Sequence, residues 1–257
     1  MQLAQLLEIQ ERYARADVNR TIAPDDLMYQ GPPEGYFAVG KSGLDAILQA
    51  LHLSWCDRVQ SILDLPCGHG RVARHLRAAF PNATLTVCDV EVSAVDFCAR
   101  TFSGVPVISV PDLTQVRLPG PFDVIWVGSL LTHIDADRCR RWLAFLAAQL
   151  SEHGVLVASV HGRWALKQHE YSPFVDNKRW AEAVRQYEES GYGYVRYPTA
   201  VHGLDTNDYG VSITRASRIV DMVDAIDRVR LVGYLERGWA GNHDVVMISK
   251  NDRFRPY

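Results

Sequence analysis

The chain has 257 residues, 47% of them hydrophobic, and a formal net charge of −3. That length suits one large α/β domain with insertions. The mild acidity argues against nucleic acid, which calls for a basic face, and no run of about 18 apolar residues is present to span a bilayer. The first residues lack the basic region and long apolar stretch of a secretory signal. Five cysteines (Cys56, Cys67, Cys88, Cys98, Cys139) show no zinc-type pairing. Their apolar surroundings predict free thiols, a cytoplasmic location and no metal.

Residues 1–20 carry a helical pattern, with Leu3, Leu6, Leu7, Ile9 and Tyr13 toward one face. Pro, Gly and Asp at 23–26 and 31–35 read as breaks, and a helix is expected over 44–53. Tyr36, between them, is either a packing aromatic or a ligand contact.

The stretch Ser61-Ile62-Leu63-Asp64-Leu65-Pro66-Cys67-Gly68-His69-Gly70-Arg71 organises the rest of the chain. It predicts a buried strand over 62–65, a tight glycine turn, and a helix running toward Phe80. Glycines let a ligand approach the backbone, and the helix behind them offers unpaired N–H groups. Gly68-His69-Gly70-Arg71-Val72-Ala73 fits G-x-G-x-x-A, with Asp89 roughly 20 residues on, as a dinucleotide fingerprint requires. Asp64 points elsewhere. A carboxylate at a strand end is costly unless it meets donors or a cation; it would repel pyrophosphate and favour an ammonium or sulfonium.

Further along, residues 83–89 predict a second strand ending in Asp89, whose carboxylate could accept two ribose hydroxyls or cap the next helix. A third strand is expected over 105–110, followed by Asp112 and Leu113, and a fourth over 122–129. A helix over 137–150 and a fifth strand over 154–160 complete a steady alternation, which means a parallel, doubly wound sheet. Ligands bind beyond the carboxyl ends of such strands. Asp64, Asp89, Asp112, Ser129, His133 and His161 all fall near those ends. From 163 to 211 the rhythm stops and Trp and Tyr crowd in. A segment of that length reads as a binding cap or as a dimer interface. A helix over 216–226 and strands over 229–236 and 244–250 close the chain.

Asp64-x-Pro66-x-Gly68-x-Gly70 resembles motif I of the class I S-adenosylmethionine (SAM)-dependent methyltransferases, D/E-x-G-x-G-x-G, with Pro66 in place of the first glycine. Gly70-Arg71-Val72-Ala73-Arg74, Thr132-His133 and Val160-His161-Gly162 are similar to a bacterial small-molecule subgroup of that family, and the resemblance covers residues 44–250. It implies an α/β, Rossmann-like seven-stranded sheet, mostly parallel, with a closing antiparallel hairpin and helices on both faces. One domain, 1–257, would then carry an N-terminal helical lid over 1–43 and an acceptor cap over 163–211.

The resemblance further implies that SAM is held by Tyr36, Asp64, Pro66, Gly68, Gly70, Arg71, Asp89, Val90, Asp112, Leu113 and Ser129. Asp89 would take the ribose, Asp112 the adenine amino group and Leu113 the ring. Asp123 would be structural. His133 and His161 are the candidate bases. The expected activity is methylation, at O or N, of a small organic or saccharide acceptor, with no nucleic-acid or membrane partner and a homo-oligomer possible. An NAD(P)-dependent oxidoreductase and a non-catalytic SAM-binding module are the alternatives.

Overall fold

In the computed structural model, residues 1–54, 56–199 and 209–250 are described. The central sheet begins with β1 (Ser61–Leu65), β2 (Thr84–Asp89), β3 (Val105–Ile108), β4 (Phe122–Val127) and β5 (Leu150–Val160). It ends with β8 (Arg230–Trp239) and β9 (His243–Ser249), in the order β3-β2-β1-β4-β5-β9-β8. The first five strands run parallel; β9 lies antiparallel to both β5 and β8. This is the expected sheet with its closing hairpin.

The reason for the parallel core lies in the strand sequences. Both faces are buried, so the strands read as near-continuous apolar runs with alternate residues feeding opposite cores. Ile62, Leu85, Val87, Val124, Trp126 and Val157 enter one core with the helices α2 (Pro33–Ser54) and α3 (Ala73–Ala79). Leu63, Leu65, Ile125, Val127, Leu156 and Ala158 enter the other with α5 (Ala136–Ala148) and α8 (Ala216–Asp224). Beyond β2, α4 (Val92–Phe102) leads to β3, whose edge position leaves Val105 and Ile108 exposed. Asp123 joins three segments: its carboxylate accepts from Gln60 N, Ser61 N and Ser151 Oγ.

Two departures from expectation have plain causes. Helix α1 (Leu3–Arg15) stops at Arg15, whereas α2 begins at Pro33, far ahead of the expected 44. Pro33 occupies the first helical position, where a missing N–H costs nothing. Gly40 sits inside α2 because a Cβ there would come within 2.0 Å of the Arg71 carbonyl oxygen. The glycine that looks like a breaker is thus a close-approach point.

After β5 comes the second departure. Residues 163–211 hold α6 (Trp164–Tyr171) and α7 (Asn177–Ser190), then β6 (Tyr192–Arg196). Strand β7 (Gly210–Thr214) pairs antiparallel with β6 as a separate two-stranded sheet. Asp176 caps α7 by accepting from Arg179 N, and Gly191 ends it at φ 78°. Residues 200–208 of the expected cap lie outside the described residues. No helix among the described residues is long and apolar enough to cross a membrane.

Candidate functional site

Strand β1 is the switch point: the chain winds outward through β2 and β3, then returns to lay β4 on the other side. The crevice beyond the carboxyl ends of the strands at this point is the expected binding place. A cavity of about 270 Å³ opens there. Asp64, Pro66, Gly68 and Arg71 line it from β1 and its loop, Asp89 and Val90 from β2, and Leu113 from the segment after β3. Ser129 and His133 line it after β4. Tyr36, from α2, is also on the wall.

The turn after β1 is held by its own backbone. Cys67 N donates to the Cys88 carbonyl, 2.9 Å away, and Gly70 N to that of Cys67 at 3.0 Å. Gly68 and Gly70 both adopt positive φ, 46° and 78°. They divide the work. A Cβ on Gly68 would meet nothing within 4 Å, so that backbone stays open to a ligand; one on Gly70 would fall 2.2 Å from the Phe102 ring. Gly70 is accordingly absent from the cavity wall and serves the packing behind it.

Two of the buried carboxylates on the wall, Asp64 and Asp89, stand at the strand ends. Asp64 is 1% exposed, and its Oδ2 has no hydrogen-bond partner. Burial first, then the neighbouring Asp89, holds its carboxyl well above the usual range, against the opposing pull of the Ala73 N–H and Arg71. An orphaned buried oxygen of this kind calls for a donor from the ligand. Asp89 accepts from Gly68 N through Oδ2 at 2.8 Å and from Glu91 N through Oδ1 at 3.1 Å. Burial raises its carboxyl too, opposed by those N–H groups. Each oxygen keeps a lone pair for a further donor.

The N-terminal segment is pinned across this loop. Buried Arg74 donates Nε to Gly70 O at 2.9 Å and Nη2 to His69 O at 3.3 Å. Its Nη1 reaches the carbonyls of Asn19 and Thr21 at 3.0 and 2.9 Å. Tyr36 donates its hydroxyl to Asp26 Oδ2 at 2.5 Å, and Asp26 reaches the wall with it. Nearby, Asp25, His69 and Glu91 bring ligand-type atoms within 4.8 Å of one another. His69 Nε2 lies 3.4 Å from Asp25 Oδ1, the separation of an ion pair should the ring be protonated.

On the opposite side stand the histidines. His133 Nδ1 lies 3.0 Å from the Gly210 carbonyl oxygen and 3.0 Å from the Tyr197 hydroxyl. A carbonyl only accepts, which assigns the proton to Nδ1 and the lone pair to Nε2, 3.5 Å from Ser129 Oγ. The ring stacks on Tyr209 at 5.1 Å. His161 is placed differently. It is 4% exposed, donates Nδ1–H to the Ser212 carbonyl at 3.0 Å, and packs against Phe174 and His243. Burial, then His243 and His133, keeps it far below the usual imidazole range, and it is not on the cavity wall.

Asp112 also lies off the wall. Its carboxylate caps the turn Leu113–Gln115, accepting from Thr114 N at 3.2 Å and Thr114 Oγ1 at 2.8 Å, while its neighbour Leu113 is buried against the cavity.

Four residues at or behind the site could not be found from the sequence alone. Trp126 and Trp239 meet edge to face at 5.1 Å on the wall, and Trp239 Nε1 donates to Val39 O. Asp26 gave no signal beyond its place in a break. His243 lies behind the wall; Ser159 Oγ, which accepts from Ser129 N, is 3.2 Å from its Nδ1, and burial pushes its imidazole down to about 3. The Gly-Trp-x-x-x-His run at 238–243 was the available sign.

Comparison with known proteins agrees with this geometry. Residues 63–156, the stretch from β1 through most of β5, match a family model described as a methyltransferase domain. Over 132 residues the chain is 29% identical to the trans-aconitate 2-methyltransferase of Klebsiella pneumoniae, covering 49% of this chain and 47% of that one. Over 182 residues it is 25% identical to the (S)-coclaurine N-methyltransferase of Thalictrum flavum, covering 59% and 50%. The chain thus spans about half the length of these curated relatives. Among solved structures, the sugar N-methyltransferase KedS8 of Streptoalloteichus shares the fold at a TM-score of 0.57 and 16% identity, over 92% of this chain and 99% of that one.

Proposed function

We propose that the chain is a class I SAM-dependent methyltransferase, and that it transfers a methyl group to the oxygen or nitrogen of a small organic or saccharide acceptor. The observation that carries this reading is Asp64, a buried carboxylate with an orphaned oxygen at the floor of the cavity. S-adenosyl-L-methionine fits that chemistry, offering an ammonium to Asp64 and ribose hydroxyls to Asp89. A pyrophosphate would meet the buried carboxylates of Asp64 and Asp89, and the antiparallel β9 is foreign to the dinucleotide-binding halves of a dehydrogenase sheet. The relatives' names, a carboxylic acid for one and amines for two, support a small acceptor rather than a particular one.

When bound, SAM supplies a methyl already activated on a sulfonium. The chain's part is to place an acceptor atom in line and to remove a proton where the acceptor carries one. Open backbone at Gly68 gives the cofactor its close approach, Leu113 packs on its adenine, and Ser129 and Pro66 shape the walls. His133 receives the acceptor's proton: its Nδ1–H is committed to Gly210 O, so Nε2 is the basic atom. A hydroxyl or protonated amine needs this base, and a free amine does not. His161 is a packing and orienting group behind it. Residues 1–43 form the lid, through Tyr36 and Asp26, and residues 163–211 form the cap, through Tyr197 and Tyr209. Five buried cysteines, all free thiols, support a reducing, cytoplasmic setting.

Titration calorimetry with SAM, its demethylated product S-adenosylhomocysteine (SAH), and NAD tests the reading. The expected result is binding of the first two and none of NAD. Binding of NAD alone would overturn it.

A further inference from the structure

His69 sits between the two glycines of the loop after β1, and the proposed methyl transfer gives its imidazole no task. The side chain is 4% exposed, and the Phe97 ring packs against it at 5.9 Å. Its Nε2 has no hydrogen-bond partner and is aimed at Asp25, whose Oδ1 lies 3.4 Å away. Glu91 completes the group: one imidazole nitrogen and two carboxylate oxygens lie within 4.8 Å of one another. Ser93 Oγ donates to Glu91 Oε1 at 3.1 Å and helps to hold that side chain. Two carboxylates this close repel unless a cation lies between them. A plain ion pair of His69 with Asp25 accounts for one acid and leaves the second without a purpose. On the other side of the ring, Nδ1 lies 3.9 Å from the buried Asp26 Oδ1. A carboxylate in that place is what a metal-bound imidazole uses to orient its second nitrogen.

We propose that Asp25, His69 and Glu91 form a site for a divalent transition-metal cation, of the zinc or manganese kind, which clasps the N-terminal segment to the two loops that follow β1 and β2. This goes beyond the methyltransferase reading and does not depend on it. The five free cysteines offer no thiolate site; this one is built of imidazole and carboxylate instead. An imidazole ligand favours such cations over magnesium or calcium, which prefer oxygen alone. The buried ring is the fixed ligand, and the two exposed acids supply any tightening that bonds of about 2.0–2.2 Å require. Because the three ligands come from separate segments, the free energy of binding goes into holding those segments together. Asp25 stands in the same turn as Asp26, the acceptor of the Tyr36 hydroxyl, so the clasp fixes a part of the cavity wall.

The test is titration calorimetry of the full chain, stripped with a chelator and dialysed, against Zn²⁺ and Mn²⁺, with Mg²⁺ as the control. At least one of the first two should bind as a single equivalent and raise the melting temperature, with Mg²⁺ much weaker. Asp25→Asn and Glu91→Gln should each weaken that cation by at least about tenfold, and His69→Gln should do so by more. The two acids are exposed, so their variants serve even where His69→Gln does not fold. Hydrogen exchange reads the clasp: amides over 21–29 should slow when the cation binds wild type and stay unchanged in Asp25→Asn. A wild type that takes up neither Zn²⁺ nor Mn²⁺ would overturn the site. So would a cation bound by Asp25→Asn and Glu91→Gln as tightly as by wild type, since it would then lie elsewhere on the chain. Tight binding at the site with exchange over 21–29 unmoved would overturn the clasp.

Discussion

The two walls of the cavity are built in opposite ways. One wall, proposed for the cofactor, comes mainly from one continuous stretch, β1 through β2, in which each residue is set by its neighbours: a strand, a turn, a helix, a second strand. The opposite wall, proposed for the acceptor, is assembled from distant parts, His133 after β4, Tyr209 before β7 and Trp239 at the end of β8. Local construction fixes the shape of the proposed cofactor cradle. Assembly from remote segments leaves room for the acceptor to vary while the cradle stays constant.

That contrast can be broken by substitution. The largest effect is expected on the acceptor side, in rate. His133→Gln should lower kcat by about 10²–10⁴-fold for a hydroxyl acceptor, the usual contribution of a positioned base, and leave SAH affinity within about twofold. Steady-state turnover beside calorimetry checks this, and an equal loss in both would merge the two walls into one.

Next comes Asp64→Asn, which should weaken SAH by about tenfold to a hundredfold through loss of a charge-assisted contact. The same change should raise the melting temperature of the ligand-free protein. The sign comes from the raised carboxyl. A folded pKa above the unfolded one contributes stability that is complete below about 3.9 and is lost as pH rises through the folded value. Without ligand, wild type should therefore fall progressively behind Asp64→Asn from acid toward neutral pH. Parallel melting curves across that range would sink the idea.

Asp89→Ala should cost about 1.5–3 kcal/mol of SAH binding, tenfold to a hundredfold. Part of that loss is the loop itself, since Gly68 N loses its acceptor. SAH calorimetry on a variant with an unaltered spectrum reads it. The smallest effect is expected from Tyr209→Ala. It should raise the KM for the acceptor by a few-fold to about tenfold, the scale of one buried aromatic contact, with SAH affinity unchanged. A shift from dimer to monomer in light scattering, with KM unmoved, would favour an interface over a cap.

Legibility followed the same division. The cradle could be read because its signals are local: apolar runs for β1 and β2, glycines at the turn, and carboxylates at the strand ends. Asp112 shows the limit even there. Its position in sequence matched the adenine contact, yet its carboxylate turns back to cap Leu113–Gln115. Gly70 likewise sits in the motif and packs against Phe102 rather than the cavity. On the acceptor side the histidines were visible as residues but not as a set. His161 and His133 both follow strand ends, and which one reaches the cavity depends on β7, 50 or more positions later, whose Ser212 and Gly210 carbonyls take their Nδ1 protons. The Gly-Trp-x-x-x-His run gains its meaning only once the closing hairpin brings His243 beside Ser159 and Trp239 against Trp126. The early start of α2 was hidden because Pro33 and Gly40 look like breakers until their neighbours are seen.

Arg74 has a consequence for timing. One planar side chain holds the backbone of the N-terminal segment at Asn19 and Thr21 and the backbone of the ligand loop at His69 and Gly70. Because a rigid fork cannot swing away from one pair and keep its aim on the other, the covering segment and the loop share a single latch. If residues 1–43 are the lid proposed above, ligand exchange is expected to move the segment and the loop together. The release trace should then follow a single exponential whose rate is set by that latch and not by the acceptor.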